Sequence, residues 1–315
     1  MALQRVLSTA ALVGLLIATA AAFAITERLK LVKSPIYGTS VSKWLSPTCG
    51  CARGKAKISV KLRHGDTVTV TIRDSGGRVV DTLAAGERVP RGRARFVWEG
   101  KTDAGGRAPD GDYRPEVHLA QQHRTILLPN RIVLDTHGPK VLEESVSRDT
   151  ISPDGDNVGD SIKLSYRFNS PARPAVYLDS KRILFGRFHQ PKGKLTWRGI
   201  VDGKPLAAGT YTLYLGGVDL AGNLTPANAR RQITVRVRYI QLIRDVIRVE
   251  KPGVRFGVGV DTDAPLYWWK LAGARGASAS PVLRIHAPTK PGTYALVVGE
   301  RGHTYRSRLV VGSGS

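Results

Sequence analysis

Residues 152–160 read Ser-Pro-Asp-Gly-Asp-Asn-Val-Gly-Asp. Asp154, Asp156 and Asp160 recur at close intervals in a glycine-containing loop, a spacing that lets side-chain oxygens converge on a hard cation such as Ca2+. The competing expectation is a polar turn in which Asp and Asn serve only to satisfy backbone donors. The bidentate Glu of a helix-flanked calcium loop is missing. A second short string, Ser46-Pro47-Thr48-Cys49-Gly50-Cys51, sits at the corresponding place before an earlier core strand. Its thiols, one glycine apart, are expected to close a small disulfide ring, to stay free, or to join a metal or a partner chain. Zinc would require two further ligands, and no other Cys or His lies near them in the sequence.

Three other sets of residues resemble catalytic or ligand motifs. Asp74-Ser75-Gly76-Gly77 has the order of the nucleophile string of trypsin-like proteases but falls in an expected hairpin turn. Gly100-Lys101-Thr102 has the order that ends a phosphate-binding loop, yet the earlier glycine is replaced by Arg95 and no helix is expected to follow. Both are read as turns. The histidines, among them His64, His118, His189 and His303, show no metal-type spacing. Trp268 and Trp269 are neighbours in an expected strand and must point to opposite faces. One is therefore expected in a core, the other exposed or at a domain junction, where it could pack on a partner or stack on sugar.

These strings lie between strands. Ile58, Val60 and Leu62 alternate with Lys57, Ser59, Lys61 and Arg63, and Val68, Val70 and Ile72 repeat the period, as half-buried strands require. Leu164, Tyr166 and Phe168 do the same farther along, followed by Ile233, Val235 and Val237. Gly 34 and Pro 18 supply the turns, and the chain is long enough for two or three domains. Trp98-Glu99-Gly100 precedes Pro109-Asp110-Gly111-Asp112-Tyr113; Trp197-Arg198-Gly199 precedes Ala207-Ala208-Gly209-Thr210-Tyr211; Lys290-Pro291-Gly292-Thr293-Tyr294 closes the series. The repeat predicts an all-β chain of tandem β-sandwiches, with domains at 41–136, 137–237 and 238–315.

The segment from Val68 through Trp98 to Val117, with its Asp74–Val80 hairpin, its Trp-x-Gly and its Pro-x-Gly-x-Tyr turn, resembles the immunoglobulin-like domain named after the flagellar hook-capping protein FlgD. The second module resembles it too, so the resemblance covers about Val41 to Val237. The close of that module, Val218-Asp219-Leu220-Ala221-Gly222-Asn223, is similar to the ending of bacterial extracellular immunoglobulin-like repeats. Residues 152–160 resemble the Ser-Pro-Asn-Gly-Asp-Gly loop that opens many secreted bacterial β-sandwich domains. The resemblance implies a bacterial surface protein and a fold, not an activity, since such domains serve as spacers and adhesion modules.

Val6 to Ile25 carries no charge and follows Arg5. That length suits a membrane-spanning signal anchor; Ala22-Phe23-Ala24 also fits the cleavage site of a signal peptide. Residues 26–40 are expected to form a stem. Arg28, Lys30 and Lys33 after the apolar run argue for a cytoplasmic C-terminal portion, but modules of surface type argue for an extracellular one, the orientation expected here. A net charge of +23 gives a field felt over about 8 to 10 Å. Basic residues gather at Arg53, Lys55, Lys57, Lys61 and Arg63, at Arg88, Arg91, Arg93 and Arg95, and at Arg230, Arg231, Arg236 and Arg238. The expected function is therefore non-catalytic: basic modules held in the cell envelope, with anionic polymer or lipid headgroups as partners. An exported location disfavours nucleic acid. The alternative is an accessory module that binds a protein partner beside a secreted enzyme or surface assembly.

Overall fold

The computed structural model describes residue 10, residues 12–24 and residues 34–314, and the chain divides into two compact units at 136/137. Residues 12–24 are helical. At about 1.5 Å per residue these described helical residues extend roughly 20 Å. Among the described residues no helix is long and apolar enough to cross a membrane. Part of the expected span, residues 6–9, 11 and 25, lies outside the described residues.

The first unit contains one β-sandwich. Its smaller sheet orders Ile36–Val41, Ala56–Leu62 and Gly92–Trp98; its larger one orders Trp44–Leu45, Ile132–Leu134, Gly111–Leu119, Asp66–Asp74 and Val79–Val89, with Arg124–Leu127 beside Gly111–Leu119. The alternating residues Ile58, Val60 and Leu62 meet Val68, Val70 and Ile72 in one core, with Trp98 fully buried among them. Residues 36–40, expected to be stem, instead belong to this sandwich. Ile36 pairs with Leu62 and Tyr37 with Lys61, and the register then shifts before Ser40 pairs with Ser59. Gly38 lies in that interruption with φ +55. The irregularity breaks the alternation that marks a strand in sequence.

The second unit holds two further cores, residues 141–239 and 240–311. In the second sandwich the long strand Ile162–Leu178 serves two sets of partners. Residues 162–167 pair with Gln190–Trp197, whereas residues 172–178 pair with Gly209–Asp219. The third sandwich sets Ile240–Leu242, Arg255–Thr262 and Val282–His286 in one sheet. Its other sheet orders Val246–Val249, His303–Val311, Gly292–Glu300, Tyr267–Leu271 and Ala274–Ser278. The fold is all-β, as the alternation predicts.

The repeated Gly-x-Tyr motif has a geometric cause. Tyr113 Oη donates to the Pro109 carbonyl at 2.6 Å, Tyr211 Oη to the Ala207 carbonyl at 2.9 Å, and Tyr294 Oη to the Lys290 carbonyl at 2.9 Å. In each case the ring folds back over the glycine two residues earlier; a Cβ there would lie 3.6 Å from a ring carbon in the second and third sandwiches and 4.0 Å in the first. The tyrosine thus satisfies a carbonyl at the start of its strand while closing the end of the core.

Candidate functional site

The Ser-Pro loops of the first two sandwiches are built on a shared contact. Gly100 of the first Trp-x-Gly turn has φ +73, and a Cβ on it would lie 2.7 Å from Pro47. Gly199 of the second has φ +66, and a Cβ on it would lie 2.9 Å from both Pro153 and Ile151. Both tryptophans anchor their turns, Trp98 Nε1 donating to the Lys101 carbonyl at 2.9 Å and Trp197 Nε1 to that of Ile200 at 3.3 Å. After the proline the loops diverge. Cys49 and Cys51 are joined by a disulfide in the first.

In the second, Asp160 acts as a backbone staple, its Oδ1 accepting from Gly155 N at 2.9 Å and its Oδ2 from Asn157 N at 2.8 Å. Asp154 Oδ1 accepts from Asp156 N at 3.0 Å, and Asp156 Oδ1 from Val158 N at 2.7 Å. Such bonds are what a polar turn requires. They leave Asp154 Oδ2 and Asp156 Oδ2 buried and without a partner. The three expected ligands do converge, with one oxygen from each of Asp154, Asp156 and Asp160 lying within 4.8 Å of the others.

Two acidic residues of the third sandwich, absent from the sequence-based set, join the loop. Oxygens of Asp154, Asp263 and Glu300 also lie within 4.8 Å of one another. Asp263 follows Arg255–Thr262 directly, and Glu300 ends Gly292–Glu300. Glu300 is only 2% exposed; its Oε2 accepts from the Thr262 hydroxyl at 2.5 Å, while Oε1 has no partner, and neither has Asp263 Oδ1. Gly159, with φ +67, presses its backbone onto Asp263, where a Cβ would stand 2.1 Å from Oδ2. No local sequence signal points to Glu300, an acidic residue at the end of an alternating strand; only its pairing place brings it to a loop 140 positions earlier.

The charges of this cluster oppose one another. Burial, and then the carboxylates of Asp154, Asp263 and Asp156, push Glu300 up to about 7. Burial raises Asp263 too, the Ser152 hydroxyl pulling it part of the way back. Burial raises Asp154 against the Asp156 N–H that lowers it, with Asp156 and Asp160 adding to the rise and Arg301 opposing it. Among the described residues no ion pair reaches Asp154, Asp156, Asp263 or Glu300.

The remaining candidates separate from this cluster. Asp74-Ser75-Gly76-Gly77 forms the hairpin turn, with Gly77 N donating to the Asp74 carbonyl at 3.0 Å and Arg78 N to Asp74 Oδ1 at 2.9 Å. Gly100-Lys101-Thr102 is followed by a turn. His118 meets the Thr125 hydroxyl at 2.9 Å, His189 the Asp219 carbonyl at 3.1 Å, and His303 stacks on Tyr239 with ring centroids 3.5 Å apart. Neither Trp268 nor Trp269 is fully buried, but Trp269 packs against the core of the third sandwich, as expected of one of the pair. Each lies over a cross-strand glycine, Trp268 over Gly299 and Trp269 over Gly276, so both rings are half covered. The Val218–Asn223 ending is a buried cap in which Asp219 accepts from Asn223 N at 2.8 Å and from its Nδ2 at 2.9 Å.

The basic residues concentrate on one sheet face of the first sandwich. Ala56–Leu62 and Gly92–Trp98 pair so that Lys61 stands opposite Arg93 and Ser59 opposite Arg95, with Lys57 farther along the same strand. Lys61 and Arg63 approach the Tyr37 ring, at 5.8 and 4.7 Å from its centroid. Lys57, Lys61, Arg93 and Arg95 make no ion pair among the described residues. Like charges directly opposite on a sheet are unfavourable, so this face stores a repulsion that an anionic ligand would relieve.

Residues 46–122 match the model of the FlgD Ig-like domain. Over 79 residues the chain is 36% identical to the basal-body rod modification protein FlgD of Salmonella typhimurium and to that of Salmonella typhi, a stretch that is 25% of this chain and 34% of those relatives. The chain thus spans about a third of the length of the relatives it matches. Among solved structures, fibronectin(III)-like modules of Clostridium thermocellum CbhA align over 64% of this chain and 94% of theirs, at 12% identity and a TM-score of 0.33. FlgD from P. aeruginosa aligns over 43% and 89%, at 20% identity and a TM-score of 0.24. Residues 46–122, the greater part of the first sandwich, are thus similar to the FlgD Ig-like domain.

Proposed function

We propose that the chain is a non-catalytic envelope protein whose immunoglobulin-like sandwiches present basic sheet faces, outside the membrane, to an anionic envelope polymer. Delivery across the membrane by the apolar N-terminal segment is part of this reading. The observation that carries it is the unpaired Lys57, Lys61, Arg93 and Arg95 face of the first sandwich. Four cations without counter-charges on adjacent strands favour a polyanion with closely spaced phosphates or carboxylates, which neutralises several at once. Binding of this kind weakens steeply with salt, because the field is screened beyond about 8 to 10 Å at physiological ionic strength.

The test is sedimentation of the full chain with a purified anionic wall polymer, and in parallel with vesicles containing anionic lipid, at low and high salt. Binding to the polymer is expected, with a loss of roughly tenfold or more in affinity for the Lys61→Glu, Arg93→Glu double variant. Unchanged binding by that variant, or a preference for vesicles over polymer, would overturn the reading.

A further inference from the structure

The acidic cluster of the second unit draws on two sandwiches. Asp154 and Asp156 come from the loop that opens the second, Asp263 and Glu300 from two strand ends of the third. The chain passes between these sandwiches at Tyr239, whose ring stacks on His303 and whose hydroxyl donates to the Leu206 carbonyl at 2.6 Å. Arg238 pairs with Asp261 across the same junction. A recess bordered by Arg148, Ser152, Gly159, Arg238 and Thr262 shares Asp263 with the cluster.

Clustered carboxylates alone do not make a site. Glu300 adds what they lack: it is 98% removed from solvent, its Oε1 is buried without a partner, and its carboxylate lies within 4.8 Å of those of Asp154 and Asp263. A buried carboxylate oxygen with no donor is costly, and three more oxygens, on Asp154, Asp156 and Asp263, share that condition. Donors all of oxygen, with no His or Cys among them, suit a hard cation. Two ligands on opposite sides of a calcium ion stand about 4.6 to 5.2 Å apart, and the oxygens of Asp154, Asp263 and Glu300 fall within 4.8 Å of one another. Asp160, with both oxygens engaged by backbone N–H groups, holds the loop in the shape that turns Asp154 and Asp156 inward.

We propose that Asp154 of the second sandwich and Asp263 and Glu300 of the third bind one calcium ion between them, and that this ion fastens the two sandwiches together. Asp160 is a positioning residue. The site is independent of the basic face in the first unit, so either can fail without the other.

The full chain, stripped with chelator, is titrated with calcium chloride by calorimetry and followed by thermal unfolding and by proteolysis between Val237 and Ile240. One ion is expected, bound more tightly than magnesium, with a rise in Tm of roughly 5 to 10 °C at about a hundred times Kd and slower cleavage at the junction. Glu300→Gln and Asp263→Asn are each expected to weaken calcium about tenfold or more. In chelator the same variants should melt at or above the parent, because each removes a repelling charge. A merely structural carboxylate gives the opposite sign there. Parent-like calcium affinity in both variants, the absence of binding at millimolar calcium, or a lower melting point in chelator would each overturn the proposal.

Discussion

Pro47 in the first sandwich and Pro153 in the second press on the glycine of a Trp-x-Gly turn in the same way, yet the residues after them close their loops by different chemistry. The first loop is short and closed covalently, by Cys49 and Cys51. The second is longer and stapled by Asp160, and it carries further carboxylates whose outer oxygens find no donor inside their own sandwich. A disulfide completes its loop without outside help. Carboxylates turned inward demand a partner, and the acidic groups that meet Asp154 from the next sandwich, Asp263 and Glu300, are of the same kind. The conserved feature of the two loops is thus the proline-on-glycine contact, while the closing chemistry decides whether the loop is self-contained.

The largest effects should fall on the shared contact. Gly100→Ala and Gly199→Ala each force a Cβ into a positive-φ position and against a proline, costing about 2 to 4 kcal/mol. Denaturant unfolding of the two variants should show similar losses, each confined to its own unit. A loss in one only would mean that the two turns are not equivalent.

Two buried carboxylates sharpen the contrast next. Asp66, 3% exposed, is well satisfied: its Oδ1 accepts from Thr67 N and Gln121 N, both at 2.8 Å, and its Oδ2 from the Gln122 amide at 3.0 Å. Burial pushes this carboxyl up, but those donors outweigh it and leave it below its ordinary value of 3.8. With the folded value below the unfolded one, its contribution is present above about pH 4 and lost as the pH falls through the folded value. Asp66→Asn should cost the first unit about 1 to 3 kcal/mol at neutral pH and less in acid. Glu300 has the reverse sign, since its folded value of about 7 exceeds its ordinary 4.5. In chelator the second unit should therefore lose stability as pH rises from about 4.5 to about 7. Parallel pH profiles of the two units would break the contrast.

The smallest effect belongs to the disulfide. A ring with one residue between its cysteines removes little entropy from the unfolded chain, so replacing both cysteines with serine should cost about 1.5 kcal/mol or less. Thermal unfolding checks this, and a loss as large as that of Gly100→Ala would show that the ring holds more than its own loop.

The fold was legible because the alternation of Ile58, Val60 and Leu62, and its later repeats, report a buried face directly. The Gly-x-Tyr turns were legible for a similar reason, their hydrogen bond spanning only four residues. Strand Ile36–Val41 was not, because the register shift around Gly38 breaks its period. For the two tryptophans the core-facing side was legible, with Trp269 against the third core, but the partial burial of both rings was not, because the glycines beneath them belong to other strands.

Composition, period and short motifs by themselves determined an all-β chain of repeated sandwiches, its excess of positive charge and the acidic loop at 152–160, because each is written within a few consecutive residues. Tertiary structure alone decided that Asp160 serves the backbone, that Asp263 and Glu300 complete the cluster, and that Lys61 faces Arg93. These depend on strand pairing and on the packing of one sandwich against the next, which join positions tens to more than a hundred residues apart and leave no local pattern to read.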